Sequence, residues 1–203
     1  AQETAKAISK AKSVRYEMTQ TVVVDLGKKT LEVSNKGRGF WVSNGARREE
    51  IFQDGKLDQV SIMFRDRMGV DINHRTRSFR ALGPRAGQMS PLMKIQQLGS
   101  FKGKADQELG DQEIDGVASS GFELAMNKVD DAAGDSTIQV WVSKKTHLPV
   151  RLVYKMKFIQ QDATMVMEKF EWNIALDESL FNSTPPPGYT DETPTPPDAS
   201  QQT

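Results

Sequence analysis

Most of the chain alternates apolar and polar residues with a period of two, the pattern typical of β-strands that bury one face. The first long stretch carries Val14, Tyr16 and Met18 between charged or polar residues. Turn signals such as Asn44-Gly45 and Asp54-Gly55 separate later stretches. The pattern predicts roughly eight to eleven strands. The predicted strands and strand fragments are 14–24, 30–34, 40–42, 51–52, 60–64, 70–73, 117–126, 138–142, 150–159 and 165–174, with a hairpin turn at 27–29.

Two segments have a helical pattern instead. Residues 3–12 are rich in Ala and Lys, which favour helix. Residues 90–103 begin with Ser-Pro, typical of a helix N-cap and first turn, and place Leu92, Ile95 and Leu98 three residues apart. This spacing predicts a short amphipathic helix that ends near residue 99 or 103.

The order of these elements predicts a mainly β fold with few helices. Consecutive alternating strands joined by short turns favour an antiparallel sheet, and a sheet of this many strands must curl. We therefore expect a strongly curved antiparallel sheet, an incomplete β-barrel, with the helices covering its concave face. Residues 1–189 form this single domain. Residues 190–203 lack large apolar side chains and are rich in Pro and Thr, which predicts a disordered C-terminal tail.

Composition argues against most catalytic chemistry. The 203 residues include no Cys and two His, which excludes disulfides, Cys-bound zinc and thiol nucleophiles. His74 and His147 lie in predicted surface or turn positions, and no nucleotide-binding or hydrolase motif occurs. No apolar run approaches the roughly 18 residues of a membrane helix. We expect no enzyme, no metal and no cofactor.

The charge distribution leaves two interpretations open. Residues 28–104 contain 16 basic and 7 acidic residues, whereas residues 105–203 contain 7 basic and 17 acidic ones. Either the two halves face each other within one sheet, or the basic half is a surface for an anionic partner. A nucleic-acid partner is disfavoured because the overall net charge is zero.

The nine Met residues, spread over predicted strands and helix, also allow two interpretations. They are ordinary core residues, or they line an adaptable apolar cavity for an acyl chain or lipid. The inward faces of the predicted strands and helix would then line this cavity. Its predicted lining is Tyr16, Met18, Val22, Phe40, Val42, Ile62, Leu92, Ile95, Leu98, Tyr154 and Met156.

Three stretches resemble a known superfamily. Residues 40–64 contain an Asp54-Gly55 turn between two strands, and residues 138–151 read IQVWVSKKTHLPVR. Residues 176–181 read LDESLF and are followed by PPGY at 186–189. In this order and spacing, over residues 38–190, they are similar to the periplasmic lipoprotein-carrier superfamily. It comprises the outer-membrane lipoprotein-sorting carrier, its receptor and the domain of an envelope-stress regulator that binds an anti-sigma factor. The sequence of residues 176–189 is more similar to an uncharacterised branch of the superfamily than to the carrier itself.

The resemblance implies an incomplete barrel with a helical lid, a hydrophobic cavity, a periplasmic or otherwise extracytoplasmic location and no catalysis. In the carrier an arginine on a central strand helps to hold the lid closed, and Arg47 or Arg48 lies at about that place. The following residue is Glu49, where the family has an aromatic one. The chain begins at Ala1 without Met, typical of a processed signal peptide or an artificial boundary.

Two functions follow as hypotheses. In the first, the protein is secreted or periplasmic and binds or transports a lipid or the acyl chains of a lipoprotein. In the second, it is an envelope sensor or protein-interaction module that acts through the basic residues 28–104. The salt dependence of binding distinguishes the two hypotheses, because binding through exposed charges weakens as salt is added and binding in an apolar cavity does not.

Overall fold

The computed structural model describes residues 1–25, 30–65, 68–83, 91–128, 135–158 and 161–194. Over these residues the chain forms helices α1 (Gln2–Lys10) and α2 (Pro91–Ser100) and two 3-10 turns, Met126–Lys128 and Glu178–Phe181. The strands are β1 (Ser13–Asp25), β2 (Thr30–Val42), β3 (Arg47–Gln53), β4 (Lys56–Met63), β5 (Gly69–Asn73), β6 (Ser78–Leu82), β7 (Gln107–Ile114), β8 (Val117–Ala125), β9 (Thr137–Ser143), β10 (Pro149–Phe158), β11 (Gln161–Trp172) and β12 (Thr190–Asp191).

The described strands form one open sheet in the order β12-β6-β5-β4-β3-β2-β1-β11-β10-β9-β8-β7. Every pair is antiparallel except β12 with β6. The sheet does not close, since β12 and β7 are its two edges. The predicted mainly β fold with an incomplete barrel is therefore confirmed.

Strand β2 is continuous where the sequence predicts two pieces. The gap in the pattern contains Gly37 and Gly39, which pair with Met18 and Tyr16 of β1. A Cβ atom at Gly39 would overlap the Tyr16 ring, and one at Gly37 would lie 2.5 Å from Met18 Cε. These glycines hide the strand pattern because they make room for two large neighbours.

The alternation of apolar and polar residues does not predict β6, β7 or β12. Strand β7 is polar and mostly exposed on both faces, as suits the edge of a sheet, so it shows no alternation. Its signal is instead the Asp115-Gly116 turn that joins it to β8. Both residues have positive φ, +49° and +77°, as a tight hairpin requires.

One face of the sheet carries both helices, and we call it the helix face. Here Ile8 of α1 and two residues of α2 pack on β1 and β8–β11. The buried residues of this core are Ile8, Val14, Tyr16, Met18, Ile95, Leu98, Phe122, Leu124, Met126, Ile138, Val140, Val142, Leu152, Tyr154, Met156, Ala163, Met165 and Met167.

A second, smaller core lies on the opposite face, which we call the outer face. It consists of Val60, Ile62, Val70 and Ile72, with Leu57, Phe64, Phe79 and Tyr189 packed against them. Cross-strand pairs connect Ile62 through Arg48 and Phe40 to Arg15. Paired residues share a face, and neighbours along a strand do not, so this row lies opposite Val14 and Tyr16.

A β-bulge in β11 changes which residues face the helices. The register against β1 shifts between Arg15 and Glu17, and Lys169 has a positive φ of +53°. Buried residues before the bulge are Met165 and Met167, whereas after it Phe170 and Trp172 pack against the same core. The extra residue thus moves Trp172 onto the helix face.

The C-terminal segment returns to the sheet at its far edge. The Thr190 amide donates to Arg77 O at 2.9 Å, and the Glu192 amide donates to Phe79 O at 2.7 Å. The predicted tail therefore begins with backbone that is paired in the sheet. Residues 195–203 and the predicted turn at 27–29 lie outside the described residues.

Candidate ligand-binding site

An apolar cavity of about 310 Å³ lies where α1 and α2 meet the ends of β1, β2 and β11. It is lined by Ile8, Ser9, Val14, Trp41, Ile95, Gly99, Ser100 and Trp172. Ile8 of α1 and Ile95 of α2 line the cavity and also pack in the helix-face core, and both are less than 5% exposed. The lining is mainly hydrocarbon and aromatic, so the cavity suits an apolar ligand.

The floor of the cavity is a row across three strands. Val14 pairs with Trp41 of β2 on one side and with Trp172 of β11 on the other. The Trp172 indole Nε1 donates to Pro149 O at 2.8 Å, which fixes that ring. The Trp41 Nε1 is buried and has no hydrogen-bond partner among the described residues. The floor of the cavity is thus formed by one valine and two indole rings.

The two helices approach each other closely at this point because Gly99 has no side chain. A Cβ atom there would lie 3.0 Å from Ile8 Cγ2. Gln2 of α1 also donates its side-chain amide to Lys102 O at 3.3 Å, beyond the end of α2. Any larger residue at position 99 must enter the cavity or move α1.

Ile95 is the one predicted cavity residue that lines this cavity among the described side chains. Tyr16, Met18, Leu98, Tyr154 and Met156 lie beside it in the helix-face core, each less than 8% exposed. Val22 is partly buried against the same core. The structure thus brings these residues together and packs them against one another rather than around open space.

Three predicted residues lie elsewhere. Phe40, Val42 and Ile62 occupy the outer face, so they cannot line a cavity beneath the helices. Val42 instead borders a separate cavity of about 670 Å³, beside Leu176 and Phe181. The side chain of Leu92 lies outside the described residues. The alternation of apolar and polar residues correctly indicates strands at β2 and β4, but it does not show which face of these strands lies toward the helices.

Tyr16 is fully buried, and its hydroxyl has no hydrogen-bond partner among the described residues. Burial raises the pKa of this phenol well above its ordinary value of 10.0. The charge of Glu49 raises the pKa further, and that of Arg47 lowers it. The ring stacks on Phe170 with centroids 5.5 Å apart, and Phe170 stacks on Trp172 at 5.7 Å. Tyr16 thus supports the aromatic floor as a neutral group.

The arginines predicted to contact a lid occupy different places. Arg48 Nε donates to Glu50 Oε1 at 2.6 Å, and Arg48 Nη1 donates to Leu180 O at 3.1 Å. It therefore fastens the closing 3-10 turn to β3 rather than holding a helix. Arg47 is buried and its Nη2 lies 3.1 Å from Met63 Sδ. A lid role for Arg47 stays a prediction.

Several charges of the basic half are paired within that half. Arg38 and Arg48 both bind Glu50, whose side chain is 2% exposed. Arg75 pairs with Asp58 at 3.5 Å and Arg80 with Asp71 at 2.8 Å. These four arginines are partly neutralised by neighbours in the sheet, which weakens the basic half as a surface for an anionic partner.

A second pocket, of about 640 Å³, adjoins the apolar cavity at the end of α2. It is lined by Gln97, Ser100, Phe101, Lys102, Gly103, Lys104, Ala105 and Lys128. Ser100 borders both spaces. Lys128 is paired with Asp106, and this bond lowers the pKa of the Asp106 carboxyl. Lys102 and Lys104 have no carboxylate partner among the described residues.

Comparison with models of known families gives no match, and neither does comparison with curated protein sequences. Among solved structures, an uncharacterised conserved protein from Thermus thermophilus is similar with a TM-score of 0.54 and 10% identity, over 94% of this chain and 95% of that one. LprF from Mycobacterium bovis matches with a TM-score of 0.50 and 15% identity, over 87% and 92%. MucB matches with a TM-score of 0.50 and 16% identity, over 90% of this chain and 60% of MucB.

The chain has the fold of LprF and MucB. The fold that the resemblance implies, an incomplete barrel with helices on one face, is thereby confirmed. A LolA superfamily protein from Nitrosomonas europaea also matches, with a TM-score of 0.44 and 12% identity, over 89% and 95%. In this chain the two helices and the sheet border a cavity, and its own side chains determine what that cavity accepts.

Within the described ranges, no group of three or more acidic or His side chains could hold a metal ion. No helix in the described part of the chain is both long and apolar enough to span a membrane. His74 Nδ1 lies 2.8 Å from the Tyr189 hydroxyl, and His147 Nδ1 lies 3.4 Å from Glu3 Oε2. Both histidines thus have structural neighbours that explain their positions.

Proposed function

We propose that the protein is an extracytoplasmic, non-catalytic binding protein that holds one alkyl or acyl chain in the cavity between α1 and α2. The observation that carries this proposal is the apolar cavity of about 310 Å³ above the row of Trp41, Val14 and Trp172. This volume is at the lower end of the ~300–1,000 Å³ found for small-molecule pockets. A single chain therefore suits it better than a lipid with several chains.

Burial of hydrocarbon would supply most of the affinity. Each methylene removed from water contributes about 0.8 kcal/mol, equivalent to a roughly fourfold gain in affinity. The affinity should therefore rise with chain length and level off once the cavity is full. A surface patch would not produce such a limit, so a plateau distinguishes the cavity from nonspecific adsorption.

The test uses the tryptophans that line the cavity. A neutral, brominated long-chain alcohol quenches indole fluorescence only at close range. Variants that retain Trp41 alone or Trp172 alone should show saturable quenching. The control retains Trp141 alone, which is not part of the cavity and lies against Gly121. Absence of quenching at both cavity tryptophans, or equal quenching at Trp141, would overturn the proposal.

A blocking variant provides a second test. Gly99→Leu should weaken binding of the alcohol at least tenfold, and Gly99→Ala should weaken it less, because added atoms enter the space beside Ile8. The matched control is Gly83→Leu, since Gly83 is exposed and a Cβ there meets nothing within 4 Å. Circular dichroism verifies that the sheet is retained. Full binding by a folded Gly99→Leu protein would place the ligand elsewhere.

The cavity is favoured over a basic partner surface for two reasons. Arg38, Arg48, Arg75 and Arg80 are already paired with carboxylates of the same half. The cavity, by contrast, is lined mainly by hydrocarbon and aromatic side chains, which suits an apolar ligand. The extracytoplasmic location rests on the resemblance of residues 138–151 and 176–189 to the periplasmic lipoprotein-carrier superfamily.

A further inference from the structure

We propose that the apolar cavity and the adjoining lysine-lined pocket form one continuous site for a single-chain amphiphile with an anionic head group. The inference rests on the proposed function and adds the chemistry of the ligand's polar end. The chain would lie between Ile8 and Ile95, and the carboxylate or phosphate head would lie beside Lys102 and Lys104.

The apolar cavity and the lysine-lined pocket meet at the end of α2. Ser100 lines both of them, and Gly99 on the preceding position lines the apolar one. The residues that follow, Phe101 to Ala105, line only the polar pocket. A ligand that leaves the apolar cavity past Ser100 therefore meets the lysines next.

The charge of the second pocket favours an anion. Lys102 and Lys104 are exposed, and neither has a carboxylate partner among the described residues. Lys128 is balanced by Asp106, so that pair contributes little net charge. The two lysines thus leave a local excess of positive charge at the mouth of a cavity lined by hydrocarbon.

A purely structural role for these lysines is to complement the C-terminal dipole of α2. That dipole corresponds to only about half an elementary charge. The last turn is also satisfied internally, since Ser100 Oγ donates to Gln97 O at 2.9 Å and the Phe101 amide donates to Leu98 O at 3.2 Å. Two full positive charges therefore exceed what the helix end requires, and the excess is available to a ligand.

The experiment compares four ligands with the same alkyl chain: a carboxylate, a monoalkyl phosphate, an alcohol and an amine. Each competes with the brominated alcohol for the Trp41 and Trp172 site, below its micelle-forming concentration. At low salt, we expect at least one of the two anions to bind about three- to tenfold more tightly than the alcohol, and the amine to bind most weakly. The stronger anion identifies the head group as carboxylate or phosphate. Added salt should reduce this preference without changing the affinity for the alcohol.

The double variant Lys102→Glu/Lys104→Glu should abolish the preference for anions and retain the affinity for the alcohol. Lys155→Glu/Lys157→Glu is the matched control, because these exposed lysines have the same spacing on β10 and lie outside both pockets. Equal binding of alcohol and anions by the wild-type protein, or an unchanged preference in the Lys102/Lys104 variant, would overturn the inference while the proposed function stands. Failure of all four ligands to compete would instead overturn the proposed function.

Discussion

Tyr16 shows how one side chain organises the helix face. Its ring occupies the space above Gly39 and stacks on Phe170, which in turn stacks on Trp172 at the cavity floor. Its buried hydroxyl has no hydrogen-bond partner among the described residues. A buried hydroxyl without a partner costs stability, so the value of this residue lies in its ring.

The Tyr16→Phe variant tests this. At pH 7 we expect it to be as stable as the wild-type protein or up to about 1 kcal/mol more stable, because only the unpartnered hydroxyl is removed. The folded state raises the pKa of Tyr16. Its contribution to stability is therefore complete below pH 10.0, the ordinary pKa, and is lost as pH rises toward the folded value. Urea unfolding from pH 7 to 11 should show a steeper loss for the wild-type protein. A clearly less stable variant at pH 7 would mean that the hydroxyl has a partner.

At the residue scale, the sequence was a good guide to which side chains are buried. It was a poorer guide to which of the buried side chains line the cavity. Period-two alternation correctly grouped Tyr16 and Met18 with Tyr154 and Met156. It could not assign the faces of β2 and β4, because a shift of one residue reverses every side chain. Trp41 of β2 was missed for the same reason. Trp172 reaches the floor only through the bulge at Lys169, which the alternation does not reveal.

Among the elements, the turn that joins β7 and β8 depends on backbone conformation rather than on packing. This turn places Gly116 at a φ of +77°, where a Cβ atom would meet nothing within 4 Å. The Asp-Gly signal at 115–116 would have revealed β7, although the strand itself is polar on both faces. For a polar edge strand of this kind, the turn residues are the part of the sequence that predicts the hairpin.

The Gly116→Ala variant should therefore lose about 1 kcal/mol, because alanine disfavours positive φ. Gly83→Ala is the control, since a Cβ at Gly83 also meets nothing and its φ lies outside the left-handed range. Gly83→Ala should be neutral or slightly stabilising. Denaturant unfolding measures both. Equal stability of the two variants would show that the β7–β8 turn does not need a left-handed residue.

At the scale of the whole molecule, two parts of one sheet bury opposite faces. Helices cover one side of β1 and β8–β11, while the C-terminal segment covers the other side of β3–β6. Tyr189 packs on the outer core, and its hydroxyl lies 2.8 Å from His74 Nδ1. The sequence predicted most of the strands and both helices, but not this second core. An apolar strand pattern gives no information on which partner covers it.

Truncation after Gly188 should destabilise the protein by about 1–3 kcal/mol, because it removes Tyr189 and the strand pairing of β12 with β6. Truncation after Pro194 keeps these contacts and should leave the unfolding midpoint unchanged. Thermal and denaturant unfolding of the two shortened proteins provide the comparison. Equal midpoints would show that the C-terminal pairing contributes nothing to the outer core.

The central position of β1 between β2 and β11 also determines when β1 can form its contacts during synthesis, because its two partner strands are synthesised at very different times. Lys12 and Ser13 form hydrogen bonds with Asn173 and Ile174, residues 161 positions later in the chain. At a synthesis rate of about 5–20 residues per second, roughly 10–30 s separate the two partners. The contacts of highest sequence separation form last and slowly. Trp172 belongs to the last long strand, so a nascent chain that has not yet reached residue 172 has no complete cavity between the helices and the sheet.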